Sequence, residues 1–262
     1  MDDAATTARA LVFIERWRHQ DPALRLAEVY ADDEGWAISA ALYFELAECL
    51  FRIAEGHVRE AKLGWWLEEV GHYADAAPRH PLTQAMHLRS VSAQSIRALV
   101  VAAAELMDAP AAENRTQLER QRRPLLLALG ELMLQGKSQS VSGILADEWI
   151  PALTRWDDCF RLHSLGRQGN QAMPILSLAQ QAELGVSRDQ LATLTDHQLG
   201  AIRRQLSGSW MPPKPLPLPP LGVYCSLWTG ALRRRGGAPS GNALDAISAW
   251  RVARRWRRQI AG

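Results

Sequence analysis

A chain of 262 residues, 47% of them hydrophobic, can bury one sizeable core with no need of disulfides or metal. A formal net charge of +2 fits no strongly acidic or basic class, and three scattered cysteines, Cys49, Cys159 and Cys225, argue against a disulfide framework and for a reducing compartment. No apolar run approaches the ~20 residues of a bilayer crossing, and the acidic start Met1-Asp2-Asp3 is neither a secretory signal nor a transit peptide, so a cytoplasmic protein is expected.

Apolar residues recur at helical spacing almost throughout, and alternating β-branched runs between turn signals are absent, so the chain reads as all-α and as one domain over residues 1–262. A first helix is predicted over residues 5–20, stopping before Asp21-Pro22, a pair that disfavours continuation, and a short one near 22–30 follows. The next, 36–54, buries a stripe of Ile38, Leu42, Leu46 and Leu50, with Glu45 beside it, and Gly56 breaks it. From Val58 a helix carries Arg59, Lys62 and Trp66 on one side, with Gly71 placed to cap it.

Residues 76–80 read as a loop, Pro81 as a first helical position, and 85–107 as a core helix rich in Ala, Leu and Val. Residues 114–135 give another helix, bent or begun anew at Pro124. Its Leu125, Leu126, Leu129, Leu132 and Met133 are either ordinary core or the lining of a greasy cavity. Ser138 or Ser140 caps a helix running through Trp149, and another spans 151–165.

Residues 211–220 are proline-rich and read as a stiff extended connector, with an SH3-type ligand as the sharper reading. A basic terminal helix is predicted over 243–260. Eight arginines lie between Arg233 and Arg258, against the single acid Asp245. That end is either a solvated arginine face or, with Trp250 and Trp256, a peripheral contact with the inner face of the membrane. No nucleic-acid-binding module surrounds it, so nucleic acid is not expected as a partner.

Between residues 36 and 81 stand Ala41-Leu42-Tyr43-Phe44-Glu45-Leu46-Ala47-Glu48, then Lys62-Leu63-Gly64-Trp65-Trp66, then His80-Pro81. Downstream come Gly169-Asn170-Gln171-Ala172-Met173-Pro174 and Glu183-Leu184-Gly185-Val186-Ser187. In this order the segments resemble the squalene/phytoene synthase family. The resemblance implies a helical bundle of the isoprenoid synthase type and isoprenoid diphosphate chemistry. It implies Glu45 and Glu48 as catalytic contacts to Mg2+ and diphosphate, and Arg59, Lys62 and Trp66 as substrate-binding residues. Its implied partner is an isoprenoid or prenyl diphosphate.

In active family members two aspartate pairs face each other across the bundle and hold magnesium. Here the first motif is reduced to Glu45 and Glu48, and at the aligned end of the second stand Phe160, Arg161 and Leu165. Asp157 and Asp158 lie about two turns upstream of that alignment, and adjacent carboxylates project about 100° apart, so they are not expected to face one metal ion together. The glutamates are either ligands or ion-pair partners of Arg59 or Lys62. The pattern is closest to the branch resembling mitochondrial complex I assembly factors, in which the aspartates are replaced. It implies an eroded or altered catalytic site, with an active head-to-head prenyl transferase and a non-catalytic assembly or scaffolding protein as the alternatives.

Overall fold

The computed structural model describes residues 3–31, 34–51, 53, 55–134, 146–164, 175–187, 194–208, 219–235 and 238–260. They form twelve helices and, among the described residues, no strand. In chain order these are α1 Asp3–Gln20, α2 Pro22–Glu28, α3 Gly35–Phe51, α4 Gly56–Ala74, α5 Pro81–Leu88 and α6 Ala93–Asp108. Then come α7 Arg115–Leu134, α8 Ala146–Ser164, α9 Leu178–Leu184, α10 Asp196–Gly208, α11 Pro219–Arg235 and α12 Ala243–Ile260. The Gly169-to-Pro174 segment, Ser138, Ser140, Leu165 and connector residues 211–218 lie outside the described residues.

Local chemistry sets the helix starts. Asp21 accepts from the Ala23 amide with Pro22 in the first turn of α2, and His80 does the same for Leu82 with Pro81 opening α5. Ser92 caps α6, and Ser177 with Gln180 forms a reciprocal capping box at α9, which ends on Gly185 at φ 62°.

Several predicted boundaries move. The expected helix over 85–107 is two helices, because Ser90 takes a left-handed conformation (φ 55°) and Ser92 recaps the chain. Gly56 opens α4 instead of only ending its predecessor. Gly71 lies inside α4, and the left-handed residue beyond its end is Ala76 (φ 58°). Helices α7 and α8 run through Pro124 and Pro151, so the expected break between Trp149 and Pro151 is absent. Pro219 and Pro220, assigned to the connector, form the first turn of α11, where a missing N–H costs nothing.

Helix α3 lies at the centre, packed on α1, α4, α5, α6 and α7. Every residue from Trp36 to Phe51 is buried, so the predicted apolar stripe is one side of a helix enclosed all round. The leucine series of α7 is buried too. Tyr224 of α11 donates to Asp21 at 2.7 Å, closing the carboxyl-terminal helices onto α2. Near that contact Gly241 (φ 71°) lies against Pro22, where a Cβ would come within 2.8 Å of the ring. Among the described residues, no helix is long and apolar enough to cross a membrane.

Candidate functional site

Glu45 and Glu48 stand one turn apart on α3, and both are taken by a residue of α1. Arg16 donates to Glu45 Oε1 at 3.2 Å and to Glu48 Oε2 at 3.3 Å. Burial pushes the Glu45 carboxyl above its ordinary value despite the opposing pull of Arg16 and Lys62. Lys62 on α4 is thus close enough to act on Glu45 through space, but the ion pair belongs to Arg16 and not to Arg59 or Lys62. Arg59 Nε is buried without a hydrogen-bond partner. Arg16 was not legible, since no local spacing ties it to residues 29 and 32 positions away.

Trp66 is in the core and Trp65 is half exposed, their rings meeting edge to face at 5.1 Å. Trp66 packs on His80 at 4.8 Å, and Phe13 of α1 closes the other approach at 4.5 Å. Burial lowers the His80 pKa to about 4, so the ring is neutral and accepts the Leu82 amide through Nδ1. Glu69, absent from the sequence reading, anchors the same turn. Its Oε1 accepts the amides of Arg79 and His80 at 2.8 and 2.9 Å and the Thr83 hydroxyl. The Trp-Trp and His-Pro segments therefore meet through a histidine cap and a buried carboxylate.

A second charged cluster lies between α7, α8 and α3. Asp157 and Asp158 are fully buried, and both accept from Nη2 of Arg122, itself fully buried on α7. Asp157 also accepts from Tyr43 of α3 and from Arg161 Nε at 2.9 Å, and Asp158 from Arg115 at 2.8 Å. The two adjacent carboxylates thus share one guanidinium nitrogen as donor. Their Cβ directions diverge, but a guanidinium entering from α7 between the two directions is reached by both. Burial alone would raise the Asp157 pKa, yet Arg122 and Arg161 hold it at about 2.

Guanidinium donors in this cluster exceed the acceptors. Arg122 Nε and Nη1 and both Nη atoms of Arg161 are buried with no hydrogen-bond partner. The Arg161 guanidinium instead stacks over Phe51 at 4.0 Å. Tyr43, Trp156 and Phe160 fill the neighbouring space with rings 4.9 to 5.8 Å apart.

Helix geometry separates the two carboxylate pairs. Tyr43 turns toward α8, whereas Glu45 and Glu48 project about 200° and 140° round α3 from it, toward α1. Magnesium takes hard oxygen ligands in a near-octahedral set. Here one pair is bridged by Arg16 and the other by Arg122, and among the described residues no group of three or more His, Cys, Asp or Glu side chains is placed to hold a metal. As arranged, these donors do not fit the ion.

No protein-family model and no curated protein matches the chain. Among solved structures it is similar to the crystal structure of a dehydrosqualene synthase in complex with ligand, with a TM-score of 0.61 over 99% of each chain at 12% sequence identity. At that identity the likeness establishes the fold, the all-α bundle of the isoprenoid synthase type.

Proposed function

We propose that this squalene/phytoene synthase-like protein binds a prenyl diphosphate or a related isoprenoid without the two-metal condensation chemistry, in the manner of the branch whose aspartates are replaced. The observation that carries the reading is the surplus of buried guanidinium donors at Arg122 and Arg161, the latter standing where the resemblance calls for a metal-binding carboxylate. A buried donor without an acceptor is unfavourable, and a diphosphate supplies several charged acceptors at once. Lys62 of α4, close enough to act on Glu45 through space, adds positive charge on the side of α3 away from Asp157. Fold likeness to a ligand-bound dehydrosqualene synthase supports an isoprenoid as the hydrophobic portion.

The test is equilibrium binding of farnesyl and geranylgeranyl diphosphate with excess EDTA and again with magnesium, beside an assay for released diphosphate. Binding is expected to survive EDTA, and release to stay at the level of a Glu45→Ala control. Arg161→Gln should weaken diphosphate binding by roughly tenfold or more, as expected for a lost charged hydrogen bond, while farnesol binding stays unchanged. Arg161→Lys, which keeps the charge, should recover part of the loss. Magnesium-dependent release well above the control would replace this reading with that of an active transferase, and absence of binding in both conditions would remove the ligand.

A further inference from the structure

The buried side of α12 is formed by Asp245, Ala249 and Ala253, packed toward α11 and α2. Asp245 is turned inward, where its carboxylate accepts the amides of Ser240 and Gly241 at 2.9 and 3.1 Å. The helix's acid is therefore removed from its outer surface.

On the opposite side Arg251, Arg254, Arg255 and Arg258 are all exposed at i, i+3, i+4 and i+7, so they form one face. None of the four has an ion-pair partner among the described residues. Like charges at this spacing repel, so the face is poorly neutralised by the protein itself. With Trp250 the four arginines line an open groove of about 550 Å3, and Arg254 sits 5.2 Å over the Trp250 ring.

The amino-terminal half of the same face is apolar and equally uncovered. Leu244, Ile247 and Trp250 are 66%, 47% and 52% exposed at three-residue intervals. A solvated arginine face accounts for the charges but not for three large apolar side chains in line with them. Nucleic acid would take the charge and leave the aliphatic groups in water. An anionic bilayer surface takes both, its phosphates meeting the guanidinium groups and its acyl boundary receiving Leu244, Ile247 and the indole.

We infer that α12 is a membrane-docking helix that lies flat on an anionic lipid surface, with Arg251, Arg254, Arg255 and Arg258 on the headgroup phosphates. This reading rests on α12 alone and is independent of what the bundle binds.

The experiment is co-sedimentation of the full chain with vesicles of pure phosphatidylcholine and of phosphatidylcholine containing phosphatidylglycerol, at low and high salt. Binding should require phosphatidylglycerol and fall as salt screens the charges. Each arginine exchanged for glutamine should lower partitioning roughly fivefold, so Arg254→Gln with Arg258→Gln should lower it about 25-fold. Trp250→Ala should weaken binding with less change in its salt dependence. All three side chains are exposed, and an unchanged melting temperature shows that the fold is kept. Equal binding to neutral vesicles, no binding to either, or unchanged binding by the double variant would overturn the assignment. So would tighter association with heparin or duplex DNA than with phosphatidylglycerol vesicles.

Discussion

Asp157 and Glu45, one carboxylate from each buried pair, respond to their surroundings in opposite ways. Asp157 is fully enclosed and meets Arg122, Arg161 and Tyr43, and its pKa is held at about 2. Glu45, nearly as buried, meets the guanidinium of Arg16, whose side chain is 45% exposed, and its pKa is raised. Burial penalises both charges. It is outweighed only where the opposing guanidinium groups are also out of water, because solvent screens the half-exposed partner. The signs of the pH dependence follow. Asp157 stabilises the fold above its ordinary carboxyl value of 3.8, and that contribution is lost as pH falls from there toward 2. Glu45 favours the fold at pH below 4.5, and its contribution is lost as pH rises through the elevated folded value.

Removing one partner from the enclosed cluster should have the largest effect. Asp157→Ala leaves Arg122 and Arg161 buried with too few acceptors and should cost about 3–5 kcal/mol, read from chemical denaturation. A loss below about 1 kcal/mol would mean that the cluster relaxes or admits water. An intermediate effect belongs to His80, neutral in the fold down to about pH 4 but ordinarily protonated below 6.5. Its contribution is complete above pH 6.5 and declines as pH falls toward 4, because the unfolded chain binds the proton more readily. The melting temperature should therefore drop across that window, and His80→Asn, which keeps a capping side chain, should flatten the drop. An unchanged slope in the variant would assign the drop to other groups. The smallest effect is expected at the half-exposed pair. Arg16→Ala should cost about 1 kcal/mol or less, and a double-mutant cycle with Glu48→Ala isolates the coupling. Coupling of several kcal/mol would place that pair in the same class as Asp157.

Much of the bundle was legible from residue spacing. The all-α class follows from apolar residues at helical intervals, and Asp21-Pro22 and Pro81 mark helix boundaries through backbone preferences that act within a residue or two. The helix interruptions expected at Pro124, Pro151 and Gly71 share one cause. Pro124, Pro151 and Gly71 carry a local preference for ending a helix, but packing on both sides of α7, α8 and α4 keeps those helices continuous. At the site, the positions of Glu45, Glu48, Lys62 and Trp66 along their helices could be read. Arg16, Arg122 and Glu69 could not, since each works on groups brought near only by the fold.

The sequence alone determined that this chain makes helices and that the leucine series of α7 faces inward. The tertiary structure decided which charge meets which. It set Arg16 on the glutamates, Arg122 between Asp157 and Asp158, and Arg251, Arg254, Arg255 and Arg258 outward with no acid paired to them among the described residues. Helical periodicity is local, reaching three or four residues, whereas these pairs lie 29 to 36 residues apart and exist only because particular helices pack together.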